Sequence, residues 1–258
     1  MIFSGEFVNG IDLVDVCLWA FMIFFVWLIY YLQREGMREG YPLEEDPSGR
    51  QEAPGLVFVP PPKSFNLPNG RGTIEMTYGK ADTRDLALNR TAPWAGSPFV
   101  PSGDGMKDGV GPASYAMRAD VPDLNWDGQD RISPYRLNPD YTVSAKDIDP
   151  RGLPVVGLDS RVAGVVTDLW VDRAEAIIRY LEVKLDGSGV QVLLPVPFAN
   201  ISKSRKRVEV AAVKAEHFAN VPRTKSPDRV TRLEEDMISG YYGGGTLYAT
   251  PQRQEPWL

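Results

Sequence analysis

Apolar and polar positions divide the chain into three regions of different period. Val16–Leu32 holds no charge and no helix breaker; adding Leu13 and Val14 gives about 20 residues, or roughly 30 Å of helix, which matches the hydrocarbon thickness of a bilayer. The run is too long for the core of a signal peptide, no Lys or Arg precedes it, and no Ala-x-Ala pattern follows it. It is therefore expected to be a retained transmembrane helix. The first basic residues, Arg34 and Arg38, lie on its C-terminal side, which places the N-terminus outside and the rest of the chain in the cytoplasm. Asp12 and Asp15 are read as marking the outer interface, and Tyr30 and Tyr31 as the inner aromatic belt. Aromatic rings lie around most of the helix and no small-xxx-small stripe runs along it, so close self-dimerisation is not indicated.

The second region, to about residue 140, is dense in glycine and proline, as in Pro60–Pro62, Asn69–Gly72 and Gly103–Gly111, and shows one candidate strand at Thr73–Tyr78. Phe58, Phe65, Trp94, Phe99, Tyr115 and Trp126 are spread through it, a mixture that suits extended chain draped over another surface better than free linker. The glycine cluster neither follows a strand nor opens a helix, so it is not read as a nucleotide-binding loop.

From about residue 141 the period becomes two. Strands are expected at Val165–Val171, Ile177–Leu185, Val190–Leu194 and Arg207–Val213, with a hairpin turn at Asp186–Gly189. In Ile177–Leu185, Leu181, Val183 and Leu185 share one face and Tyr180, Glu182 and Lys184 the other. Short antiparallel strands with tight turns suggest a small barrel or sandwich. Thr231 and Glu234 have capping-box spacing and open a short helix to about Ile238; Gly240 reads as its stop and Gly243–Gly245 as a flexible bend. The expected organisation is an outer N-terminus at 1–11, a span at 12–33, an extended segment at 34–140, and a mainly-β domain with a C-terminal helix and tail at 141–258.

Composition narrows the chemistry. A formal charge of -6 argues against non-specific nucleic-acid binding. One cysteine, Cys17, excludes an internal disulfide, and with the single histidine, His217, it is too little for a haem, zinc or copper site built from this chain alone. No role is assigned to His217.

Motifs along nearly the whole chain resemble the H subunit of the photosynthetic reaction centre of purple bacteria. They are Tyr30–Leu32, Met37–Leu43, Phe65–Gly72, Met106–Tyr115, Asp168–Asp172, Phe218–Pro222, Leu233–Asp236 with Gly243–Gly245, and Tyr248–Pro251. Their order behind one N-terminal span is what makes the likeness specific. The resemblance implies a PRC-barrel-like cytoplasmic domain and a non-catalytic subunit that caps the cytoplasmic face of the L and M subunits. Those partners hold the bacteriochlorophyll, bacteriopheophytin, quinones and non-haem iron. A cytochrome subunit or light-harvesting antenna and membrane lipids are the further partners implied, in the inner (intracytoplasmic) membrane. The resemblance also implies a part in conducting protons to the secondary quinone.

Proton conduction through protein suits closely spaced carboxylates, whose pKa values burial and like charges can raise. Asp172 and Glu175 fall where the family places its acidic proton-transfer pair, and Arg179 is near enough in sequence to hold such an acid ionised. In Asn125–Arg131 some relatives carry surface histidines; here the corresponding positions are Asp127 and Gln129. Asp127 can still accept a proton, whereas Gln129 cannot near neutral pH. The same stretch begins like a calcium loop, with Asp123, Asn125, Asp127 and Gly128, but the twelfth position is Pro134 where a bidentate Glu is needed, so no metal is assigned. Two other classes remain as alternatives. A membrane-tethered enzyme lacks a triad, metal cluster or phosphate loop in the sequence, and a tethered RNA-binding or adaptor module is disfavoured by the acidic charge.

Overall fold

The computed structural model describes residues 6–8, 11–46, 48–51, 59–76 and 84–254. The chain forms two compact units, Met1–Asp82 with Pro93–Ser97 and Thr83–Ala92 with Pro98–Leu258.

In the first unit, helix α1 (Leu13–Gly36) is long and apolar enough to cross a bilayer, and none of its residues is buried against protein. Asp12 and Asp15 do more than mark an interface. The Asp15 amide donates to Asp12 Oδ1 at 2.8 Å and the Asp12 amide to Asp15 Oδ2 at 3.3 Å, a reciprocal cap on donors that lipid could not satisfy. At the other end, Arg38 grips Glu35 with two bonds of 2.7 and 2.9 Å and reaches the Pro61 carbonyl at 2.6 Å. Phe65–Gly72 is the heart of a hairpin: Ser64–Asn66 pairs with Thr73–Glu75, and Asn69 and Gly70 adopt the positive φ of 60° and 69° that such a turn requires. The strand expected at Thr73–Tyr78 is thus present to Glu75; residues 77 and 78, like Phe58, lie outside the described residues.

The second unit is built on one mixed sheet. Its strands are β1 (Ile132–Pro134), β2 (Pro154–Val156), β3 (Val162–Asp172), β4 (Ile177–Leu185), β5 (Gln191–Pro195), β6 (Asn200–Ser202) and β7 (Arg207–Glu209). The ladder runs β5-β4-β3-β2-β7-β6, and β1 pairs with the C-terminal part of β3. β4 matches its expected bounds, whereas the strand expected at Arg207–Val213 ends at Glu209. One pairing departs from the all-antiparallel expectation: β2 and β7 run parallel, Val155 opposite Val208. A tight turn cannot join parallel strands, so these two are joined only through the intervening sheet, which local periodicity could not foretell. β1 likewise comes from the stretch expected to be extended chain. Leu169, Leu181, Val183, Leu194, Val155 and Val208 form the centre of the core.

Helix α2 (Arg232–Tyr248) begins with the expected capping box, the Glu234 amide to Thr231 Oγ1 at 3.1 Å and the Thr231 amide to Glu234 Oε2 at 2.8 Å. It does not stop at Gly240, and Gly243–Gly245 is not a bend. Glycine is needed at these helical positions because the 3₁₀ turn Gly111–Ala113, the Ala212 backbone and the Val213 side chain lie against them. A Cβ at Gly244 would sit 2.5 Å from that of Ala113, and one at Gly245 2.6 Å from the Ala212 carbonyl oxygen. On another side of α2, Tyr242 is fully buried, stacked on Phe198 at 5.7 Å and edge-on to Phe218 at 5.9 Å. Gly245→Ala should therefore lower stability by about 1–3 kcal/mol through overpacking, although alanine is the better helix former by about 1 kcal/mol. A melt of the variant at or above the wild-type midpoint would show that the close packing has slack.

Candidate functional site

The register of three strands assembles a chain of alternating charge. β1 pairs with β3 so that Asp172 faces Ile132, which brings Arg131 beside the end of β3. Across β4, the register shifts between Trp170/Val171, with partners Tyr180 and Ile178, so Arg179 is the extra residue of a bulge. Bulges re-aim side chains, and here the guanidinium of Arg179 turns onto Asp172. Arg131 Nε donates to both Asp172 oxygens at 3.1 and 3.0 Å, and Arg179 Nε to Oδ2 at 3.0 Å. The turn supplies two more donors, the amides of Ala174 at 3.0 Å and Glu175 at 3.2 Å, both to Oδ1. Asp-x-x-Glu at the start of a turn is the local signal for this arrangement.

Asp172 has no solvent exposure. Burial pushes its carboxyl up, but the hydrogen bonds from Arg131 and Arg179 and the two amides outweigh burial and hold it below the ordinary value. Glu175, half exposed, bridges the same arginines, accepting from Arg131 Nη2 at 2.6 Å and Arg179 Nη2 at 2.9 Å. Asp123 extends the series at 3.5 Å from Arg131. Of the residues expected from sequence, Asp172, Glu175 and Arg179 therefore come together, and Arg131 and Asp123 join them. Asp127 lies apart, exposed in the Asn125–Gln129 turn, and among the described residues no hydrogen bond or ion pair joins it to the cluster. That turn is closed by the Gln129 amide on Asn125 Oδ1 at 2.9 Å, so this side chain serves the backbone.

Asp123, Arg131, Asp172 and Arg179 form one wall of a cleft of about 510 Å³, with Glu235 and Asp236 of α2 on another, and Glu175 lies outside this lining. Glu235 accepts from the Tyr180 hydroxyl at 3.1 Å. Burial pushes the Glu235 carboxyl up; the Tyr180 bond and the Arg118 charge pull it down by less. The cleft thus contains a carboxylate fixed as an anion and a second carboxyl more ready to hold a proton. Sequence reasoning missed Glu235, since only tertiary packing carries α2 over Tyr180. It also missed a second buried set: Asp168 and Glu182 face each other across β3 and β4, and Arg136 Nη1 reaches them at 2.8 and 3.1 Å. Glu182 additionally takes the Trp170 indole at 3.0 Å and Gln191 at 2.8 Å. On the β4 face shared by Tyr180, Glu182 and Lys184, the first two are buried and Lys184 is exposed. Among the described residues, no three His, Cys, Asp or Glu side chains group as a metal site.

The sequence model of the photosynthetic reaction centre H-chain N-terminal region matches residues 5–137, and that of the PRC-barrel domain matches residues 146–217. Arg131 and Asp123 fall in the first match and Asp172, Glu175 and Arg179 in the second, while Glu235 lies beyond both.

Because its folded pKa is depressed, Asp172 contributes stability that is present above the unfolded value and lost as pH falls through the folded one. Asp172→Asn should cost about 2–3 kcal/mol at neutral pH, since two guanidiniums lose their shared anion. The gap to wild type should hold down to about pH 5 and close as pH drops below the ordinary value of 3.8. Denaturant titrations of both proteins across that range test this; a gap that changes between about pH 5 and 7 would mean that Asp172 itself titrates there.

Proposed function

Because this chain belongs to the family of photosynthetic reaction-centre H chains, with a PRC-barrel domain behind a single membrane-spanning helix, we propose that it is the pigment-free subunit that caps the cytoplasmic face of the L and M subunits. In this reading it stabilises their assembly and passes protons from the cytoplasm toward the secondary quinone. The partner subunits supply the redox groups, bacteriochlorophyll, bacteriopheophytin, quinones and non-haem iron. A purple-bacterial inner membrane is the setting, with the N-terminus periplasmic, because Arg34 lies in the last turn of α1 and Arg38 just beyond it, while residues 1–12 hold no Lys or Arg. A cytochrome subunit or an antenna in the same complex belongs to this reading as well.

The observation that carries the proton role is the cleft that holds both Asp172 and Glu235. Asp172, fixed as an anion by Arg131 and Arg179, stays ionised and holds the two guanidiniums in place beside the cleft. Glu175, half exposed and bonded to the same two arginines, stands at the solvent side as the first acceptor. Glu235, mostly enclosed and bonded to Tyr180, is the inner carboxyl, and its raised pKa suits it to hold a proton nearer neutral pH. Asp127, exposed but apart, serves at most as a collector on the surface.

Purification in mild detergent from the native cell should yield the chain together with two apolar, pigment-bearing partners. In that complex, Glu175→Gln and Glu235→Gln should each slow flash-induced proton uptake and the second electron transfer to the quinone by about tenfold or more. Wild-type rates in both variants from about pH 6 to 9, with the complex intact, would rule out the proton role while leaving the capping role standing.

A further inference from the structure

The remaining strongly charged feature lies at the opposite end of the ladder from β5. β6 is the edge strand of the sheet, and the turn that links it to β7 reads Lys203-Ser204-Arg205-Lys206 and is followed at once by Arg207. Residues 203 to 206 are all exposed, and Lys206 adopts a positive φ of 49°, at the end of the turn. Lys203 Nζ donates to the Lys146 carbonyl at 3.1 Å, which brings a further lysine alongside. Against these five cations stands Glu209, which takes Arg205 at 2.8 Å and Arg207 at 2.7 Å on one oxygen. Among the described residues, the ammonium groups of Lys146, Lys203 and Lys206 have no carboxylate partner. This local surplus of positive charge sits in a chain whose net charge is -6.

Lysines on an edge strand also hinder pairing with a second sheet, and that is the ordinary explanation for one or two of them. It does not account for three cations on the turn with Arg207 and Lys146 beside it, because charge of either sign guards an edge. A concentrated patch of unpaired lysines suits a surface of diffuse negative charge. The chain carries its own bilayer anchor, α1. Anionic headgroups are therefore always at high effective concentration around the folded unit, whereas a soluble polyanion has no such advantage. We propose that the turn from Ser202 to Arg207, together with Lys146, binds the anionic phospholipid headgroups of the membrane in which the chain is anchored. The binding is electrostatic and does not depend on the proton role proposed for the cleft.

The test uses the full-length chain, with Cys17→Ser and Ser204→Cys, a nitroxide on the new thiol, and phosphatidylcholine nanodiscs made with or without phosphatidylglycerol. Collision of the nitroxide with a lipid-anchored nickel chelate reports the nearness of the turn to headgroups. It should be several-fold greater with phosphatidylglycerol and should be abolished in about 1 M salt, where the screening length is about 3 Å. The double reversal Lys203→Glu with Lys206→Glu should reduce it by about tenfold or more while leaving the melting midpoint unchanged, since glutamates protect the edge as well as lysines do. Equal collision rates in the two lipid compositions overturn the proposal. So does a nitroxide that is immobilised only when partner chains are added, which would make an acidic protein surface the occupant.

Discussion

The folded unit depends on the placement of carboxylates in the interior of β3. Asp168 and Asp172 are both buried, and Glu182 is buried directly opposite Asp168. A buried carboxylate without a counter-charge costs several kcal/mol, so each must be met by a cation that is held in place. Two of the three arginines that do this, Arg131 and Arg136, flank β1, the short strand contributed by the glycine- and proline-rich part of the chain. The acids of the central strand thereby hold that segment against the sheet. Without those arginines the strand would carry uncompensated buried charge.

The same requirement gives the cleft its character. Two arginines and two amides on Asp172 leave it an anion across the physiological range, whereas Glu235 is driven the other way by burial, which outweighs the Tyr180 hydroxyl and the Arg118 charge. A pair of carboxyls whose environments push their affinities for protons apart is the usual basis for a division of labour between a fixed charge and a carrier. The arrangement spans both matched regions of the family and extends into α2, which neither covers. Replacing residues in one region alone therefore perturbs a site that the other helps to build.

Glycine plays two unrelated parts in this chain. At Asn69–Gly70 it allows a turn of positive φ, a local need that the dipeptide announces. In α2 it allows close approach: glycine stands at 240, 244 and 245 despite its poor helix propensity, because the Ala113–Ser114 backbone, the Ala212 backbone and the Val213 side chain occupy the space where side chains would be. The glycine-rich stretch around Gly111 and the glycines of α2 are thus two halves of one contact, and neither explains itself when read alone.

The sequence alone determined whatever depends on short-range periodicity or composition. The uncharged run fixed α1, the alternation of Ile177–Leu185 fixed β4, the Asp186–Gly189 turn fixed its hairpin, and the Thr231/Glu234 spacing fixed the start of α2. Asp172, Glu175 and Arg179 lie within one turn and the strand that follows it, and it was the resemblance to the H subunit that singled out the two acids. Tertiary structure decided what depends on partners distant in sequence: the parallel pairing of β2 with β7, the recruitment of β1, the burial of Glu182, and the continuation of α2 through its glycines. It also decided that Asp172 stays ionised and that Glu235 shares its cleft, since Arg131 and the face of Tyr180 come from elsewhere in the chain. The physical reason is the range of each effect. Propensity, capping and hydrophobic period act over a few residues, whereas the charge state of a buried acid is set by whichever groups the completed fold brings within about 3 Å of it.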